Sequence, residues 1–139
     1  MKHIAYKRPD GGVNIVCPHP DVPLDDVMAK DVPPDATEVQ VLDKLPSRAY
    51  RDAWVLSGGV VTHDMEKARE LKMAEIRAER DKRLAATDGV YLRAQERGDD
   101  TEAAKLKEYR QGLRDLPAKV ALDVETPEEL KALQPDWPA

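Results

Sequence analysis

The chain has 139 residues, a formal net charge of −5 at pH 7, and 41% apolar residues, few of them aromatic. This length suits one modest domain, or a small domain with a helical extension. No apolar run approaches the ~18 residues of a membrane helix, and Lys7 and Arg8 follow the N-terminus closely, so we expect neither a membrane span nor a secretory leader. The single cysteine, Cys17, excludes an internal disulfide and is typical of a reducing compartment, so we expect a cytoplasmic protein.

The distribution of proline divides the chain into two halves. Seven of the eleven prolines lie between Pro9 and Pro46, and the next one is Pro117. The hydrophobic period also changes, from two in the first half to about 3.6 in the second. We therefore predict an α+β protein, with a small β-rich domain followed by a long antiparallel helical hairpin. The predicted boundaries are 1–64 for the β-rich domain, 65–117 for the hairpin, and 118–139 for a tail with a short helix at 127–134.

Two elements are predicted in the first thirty residues. Alternating residues over 4–8 and 13–17 flank Pro9-Asp10-Gly11-Gly12, which predicts a hairpin because glycine accepts the positive φ of a tight turn. Residues 21–31 are typical of a short helix capped by Asp21. Its inward residues are predicted to be Leu24, Val27 and Met28.

The remainder of the first half is predicted to add further strands. Residues 37–42 form a third strand with Val39 and Val41 on one face. Residues 50–56 and 60–62 flank Ser57-Gly58-Gly59, which indicates a second hairpin. The total is four or five strands and one short helix.

The second half is predicted to contain two helices. The first covers 66–97 with Asp64 as its cap, and a favourably oriented pair joins Glu79 to Arg83. Gly89 leaves open whether this helix is split in two. Its length, roughly 48 Å at 1.5 Å per residue, exceeds the diameter of a globule of this chain length, about 35–40 Å.

The second predicted helix follows Gly98-Asp99-Asp100. Asp100 or Thr101 is expected to cap it, and it covers 101–116 before Pro117 ends it. A short loop between two helices predicts that they fold back antiparallel along their apolar stripes. In the tail, Thr126 is the expected cap of the last helix, with Glu129 completing a capping box.

No catalytic, cofactor-binding or metal-binding residues are predicted. Cys17 and His19, with His3 and His63 elsewhere, fall short of the paired ligands that a zinc site needs. The two serines lie outside a nucleophile elbow, and Gly58-Gly59 is explained by a turn. The pairs Asp25-Asp26 and Glu128-Glu129 lie in first helical turns, where the helix dipole favours carboxylates. We therefore predict that the protein is not an enzyme.

Basic residues recur along the first long helix, but acidic residues alternate with them. Residues 66–97 contain nine basic and seven acidic side chains, a net charge of only +2. This balance is typical of a solvated helix surface, so nucleic-acid binding is a distant third possibility.

Two segments carry a resemblance to a known family. Residues 76–88 read IRAERDKRLAATD, and residues 109–117 read YRQGLRDLP. Together they resemble the phage tail assembly chaperone family, which is often encoded beside tail-fibre genes in phages and prophages. The resemblance implies a non-catalytic protein that assists tail or tail-fibre assembly by binding a structural protein in the host cytoplasm. The alternative is a structural virion or self-associating protein.

The partner-binding residues are expected on the hairpin. Arg77, Arg80 and Arg110, near Asp81 and Asp115, are expected either to tie the helices together or to receive carboxylates of a partner. Because the first helix is longer than the second, its apolar face predicts a homodimer, unless the β domain or the tail covers it. The candidate partner-binding residues are Leu71, Ile76, Arg77, Arg80, Leu84, Tyr109, Arg110, Leu113 and Arg114.

Overall fold

The computed structural model describes all residues, 1–139, and confirms the α+β fold class. Five strands and one short helix are followed by two long helices and a short C-terminal helix. The chain divides into two compact units, each formed by two segments. The first unit contains Met1–Ala68 and Glu125–Lys131, and the second contains Arg69–Val124 and Ala132–Ala139. The predicted domain boundaries remain predictions.

The first hairpin of the first unit joins β1 (His3–Lys7) to β2 (Val13–Val16). The Arg8 N–H donates to the Gly12 carbonyl at 2.7 Å, and Gly11 takes a φ of 88°, which gives a type I turn followed by a bulge. Asp10 closes the turn by accepting from the Gly12 N–H at 2.8 Å. This bond, and then the Arg8 guanidinium, hold the pKa of the Asp10 carboxyl below its usual 3.8.

The main sheet has the strand order β2-β1-β3, with both pairings antiparallel. The third strand, β3 (Thr37–Leu42), has the predicted bounds. Its valines Val39 and Val41 share a face as predicted, but that face is exposed. Leu42 lies on the opposite face of the strand and belongs to the core instead.

The second hairpin consists of β4 (Trp54–Ser57) and β5 (Val60–His63), joined at Gly58-Gly59 as predicted. The strand predicted to begin at residue 50 begins only at Trp54. The backbone of Tyr50 is left-handed, with φ 51° and ψ 48°, and a 3-10 turn over Arg51–Ala53 follows it. A left-handed residue breaks the extended geometry that a strand requires.

The core of the first unit lies between the two sheets. Ala5 and Val13 from the first hairpin meet Leu42 and Leu56, all at most 6% exposed. Around them pack the half-buried residues Ile15, Trp54 and Val61.

The first helix, α1, covers Leu24–Asp31. Val27 is buried, while Leu24 and Met28 are half-buried. The predicted cap at Asp21 is wrong, because the helix begins three residues later and Pro23 occupies the N-cap position without a side-chain hydrogen bond. Proline fixes φ near the helical value and has no N–H to satisfy, which suits a helix start.

The long helix α2 covers Met65–Glu96 without a break at Gly89. Asp64 caps it as predicted, since its Oδ1 accepts from the backbone N–H groups of Glu66 at 3.1 Å and Lys67 at 3.3 Å. None of the helices has both the length and the apolar character needed to cross a bilayer.

The next helix, α3, covers Asp100–Lys119. Its cap is Asp99, not Asp100 or Thr101, because the Asp99 carboxylate accepts from the Glu102 N–H at 3.1 Å. The predicted end at Pro117 is also wrong. The helix continues through Pro117 to Lys119, although this proline has no N–H to donate to the carbonyl four residues earlier.

The last helix, α4, covers Pro127–Ala132 and ends two residues before the predicted position. Thr126 caps it, accepting from the Glu129 N–H at 3.2 Å as predicted.

Candidate functional site in the helical hairpin

Helices α2 and α3 form the predicted antiparallel hairpin, and its turn is set by local chemistry. Gly98 takes a φ of 68°, a left-handed conformation that ends α2. The Asp99 N–H then donates to the Ala94 carbonyl at 3.0 Å. The reversal therefore takes only the three residues between Glu96 and Asp100.

Arg110 joins the two helices of the hairpin. From α3, its Nη1 donates to the Leu84 carbonyl at 3.1 Å, to Thr87 Oγ1 at 2.6 Å and to Asp88 Oδ1 at 2.6 Å. The guanidinium also lies 5.4 Å from the centre of the Tyr91 ring. The Arg110 side chain is only 15% exposed. The two resembling segments, 76–88 and 109–117, therefore meet at this one arginine.

The other arginines do not tie the helices to each other. Arg80 contacts its neighbour Asp81 at 2.9 Å, and Asp115 accepts from Gln111 on its own helix. Arg77 and Arg114 are exposed and make no hydrogen bond or ion pair. The predicted pair of Glu79 with Arg83 is present at 3.1 Å.

The apolar candidate residues lie mainly inside the second unit. Ile76 is 3% exposed and Leu113 is fully buried, so neither offers surface to a partner. Leu71, Leu84 and Tyr109 are half-buried. The exposed apolar side chains of the hairpin are instead Val90 and Leu92, of which Leu92 is 55% exposed.

The C-terminal segment packs on the hairpin, a feature that the sequence alone does not specify. The Trp137 ring lies 4.0 Å from the Arg83 guanidinium, which is cation–π geometry. Pro138 approaches Gly112 so closely that a Cβ on this glycine would lie 3.0 Å from the proline Cγ. Arg69 fixes the chain after α3, donating to the Leu122 and Val124 carbonyls at 2.8 and 3.0 Å.

A shallow cavity of about 230 Å³ shows what the tail does to the face of α2. It is lined by Lys72, Ile76 and Glu79 of the helix and by Pro135 and Trp137 of the tail. The tail therefore covers part of the helix face from which the homodimer was predicted.

The histidines and the cysteine do not converge. His63 Nε2 lies 2.7 Å from the Ala49 carbonyl, and His19 Nδ1 accepts from the Asp21 N–H at 3.2 Å. Cys17 is exposed and unpaired, while His3 is buried. No group of three or more His, Cys, Asp or Glu side chains is arranged to hold a metal ion.

The comparison with protein families bears on this hairpin. Residues 73–138 match the family model described as phage tail assembly chaperone protein. The resemblance carried by residues 76–117 is confirmed for this segment. The match also includes the tail with Trp137 and Pro138, and it indicates a role in phage tail assembly. No match was found among curated proteins or solved structures.

Proposed function

We propose that this protein assists tail assembly by binding a tail or tail-fibre protein non-covalently in the host cytoplasm, with no catalytic step. The observation that carries the proposal is the match to the phage tail assembly chaperone family over residues 73–138. This segment includes the interhelical contact of Arg110 and the tail that packs on the hairpin.

The exposed arginines of the hairpin are the proposed contacts with this partner. Arg77 on α2 and Arg114 on α3 are among the residues expected to bind it, and both are exposed. An arginine without an internal partner can form bidentate hydrogen bonds with a carboxylate of another protein. The exposed Leu92 supplies apolar surface on the same hairpin. The buried Leu113 and Ile76 instead maintain the shape of this surface.

Co-expression tests this proposal. Each tail and tail-fibre protein of the same phage or prophage is produced with and without the chain, and its soluble yield and co-purification are measured. We expect one of them to co-purify, and its affinity to fall at least tenfold in Arg77→Glu/Arg114→Glu. The matched control is Lys82→Glu/Lys107→Glu, which makes the same charge change on exposed residues of the same two helices. No bound tail protein, or an equal loss in both variants, would contradict the proposal.

The alternative is a structural virion protein, and persistence in the particle distinguishes the two. An assembly factor is absent from purified particles, and mass spectrometry of mature particles detects it only if it is a structural component. The predicted homodimer stays a prediction. Light scattering of the purified chain tests it against the 15.6 kDa mass of one protomer.

A further inference from the structure

A polar cleft of about 370 Å³ lies beside strand β2 in the first unit, and none of its lining residues belongs to the segment 73–138 that matches the family. All four residues of β2 line it. The opposite wall contains Arg48, Arg51 and Trp54. A cleft of this size can hold a few side chains of a bound ligand.

Strand β2 is an edge strand, hydrogen-bonded only to β1. Along an antiparallel hairpin, hydrogen-bonded pairs of residues alternate with pairs that are not hydrogen-bonded. Arg8 and Gly12 are a hydrogen-bonded pair, because the Arg8 N–H donates to the Gly12 carbonyl, and every second pair from there is hydrogen-bonded as well. Asn14 and Val16 therefore direct their backbone groups at β1. The N–H and C=O groups of Val13 and Ile15 point away from β1, toward the free edge. Such a row of groups can pair with an added strand.

The wall of the cleft carries two arginines that form no ion pair. Arg48 and Arg51 are exposed, and neither takes part in an ion pair. Arg8, by contrast, is engaged by Asn14 at 2.7 Å and by Asp10 at 3.1 Å. Asp52 is the one acidic residue in the lining. This concentration of cations stands out in a chain of net charge −5.

Local contacts hold this wall in place. The Trp54 indole N–H donates to the Ser47 carbonyl at 2.9 Å, which fixes the ring beside the cleft. Arg51 follows the buried, left-handed Tyr50, and the 3-10 turn is closed by the bond from the Ala53 N–H to the Tyr50 carbonyl at 2.8 Å. Left-handed backbone at a bulky residue is uncommon and persists where the surrounding structure fixes it.

We propose that this cleft binds an extended acidic peptide as a strand added to β2, with the peptide carboxylates on Arg48 and Arg51. In an extended peptide every second side chain points to the same face, so carboxylates two residues apart face the arginines together. The backbone of Val13 and Ile15 supplies hydrogen bonds, and the arginines select for acidic side chains. None of the residues of this site belongs to the hairpin, so its failure and the failure of the proposed chaperone function are distinguishable.

The test is an NMR titration of the full chain with a seven-residue peptide of alternating Glu and Val, blocked at both ends. We expect the amide signals of Val13 and Ile15 to shift. We expect the affinity to fall at least tenfold in Arg48→Glu/Arg51→Glu. The control Lys30→Glu/Lys44→Glu makes the same charge change at exposed residues of the same unit outside the cleft. An unchanged spectrum away from the substitutions shows that each variant is folded.

Three further probes separate the proposal from simpler explanations. The same peptide with Gln for Glu tests charge, and we expect it to bind at least tenfold more weakly. A peptide N-methylated at alternate residues keeps its charge but loses its backbone donors, and we expect it not to bind in one of the two methylation frames. If both methylated peptides, or inorganic phosphate, bind as tightly as the unmethylated peptide, strand addition is overturned and the cleft is a simple anion site. A dimer that occupies the same edge would overturn the peptide as its occupant.

Discussion

At the scale of single residues, Arg110 shows how one side chain can fix the register of a helical hairpin. Its three acceptors on α2 lie within one and a half turns, so they define where α3 lies along its neighbour. The Leu84 carbonyl and the Thr87 hydroxyl are half-buried groups that accept a charge-assisted bond. Removal of Arg110 leaves them without this donor.

We expect Arg110→Met to lower the free energy of unfolding by about 2 kcal/mol, because hydrogen bonds to a charged group contribute ~1.5–3 kcal/mol. Urea unfolding followed by circular dichroism measures this change. The control is Arg114→Met, one turn further along α3, where the exposed side chain has no partner. The control should change stability by less than ~0.5 kcal/mol. Equal losses in both variants would show that the contact of Arg110 does not fix the hairpin.

The sequence revealed Arg110 as a candidate but not its contacts. Arg77, Arg80 and Arg110 were all expected either to tie the helices together or to face a partner, and only Arg110 ties them. The difference depends on the rotation of α2 and of α3 about their own axes, and hydrophobic spacing defines these rotations too coarsely to assign each arginine an acceptor.

At the scale of elements, the features that depend on local chemistry were predictable. Asp64 and Thr126 cap their helices as the sequence indicates, because an N-cap requires only a side chain and an N–H two or three residues away. The cap of α1 and the end of α3 were predicted wrongly. A proline lies at both sites, at the N-cap of α1 and in the last turn of α3, and its fixed φ and missing N–H do not dictate at which residue the helix begins or ends.

The two glycines inside the long helices allow a matched test of the tail contact. Gly89 lies on the exposed side of α2, where a Cβ would meet only the flexible end of Arg93 at 3.3 Å. We expect Gly89→Ala to stabilise the protein by about 0.5–1 kcal/mol, since alanine favours the helix. Gly112→Ala places its Cβ 3.0 Å from Pro138. We therefore expect thermal unfolding to show that Gly112→Ala stabilises the protein less than Gly89→Ala does, or destabilises it.

Removal of Pro138 and Ala139 provides the control for the two substitutions Gly89→Ala and Gly112→Ala. In the shortened chain the obstacle to the Gly112 substitution is gone, so Gly112→Ala should stabilise it as much as Gly89→Ala does. If Gly112→Ala is equally stabilising in the full chain, the tail does not press on this glycine in solution.

At the scale of the whole molecule, a segment near the end of the chain belongs to the same compact unit as the first half of the chain. After both long helices, residues 125–131 return to the first unit, and residues 132–139 belong again to the second. Leu130 is fully buried, and the neighbouring Lys131 places its ammonium group 5.0 Å from the centre of the Tyr50 ring. The sequence indicated a short helix here, but not where it packs, because packing between distant segments leaves no local pattern.

The last prediction concerns this returning segment. Replacing the fully buried Leu130 with Ala leaves a cavity in the first unit, and we expect a loss of about 3 kcal/mol. Hydrogen exchange followed by mass spectrometry should show faster exchange in the strands of that unit, because the stability of a local region depends on the apolar packing around it. The control is Leu133→Ala, which removes the same atoms three residues later, at a half-buried position of the second unit. It should leave exchange in the strands unchanged. If both variants exchange alike in the strands, or if Leu130→Ala has no effect there, the segment 125–131 does not complete the first unit.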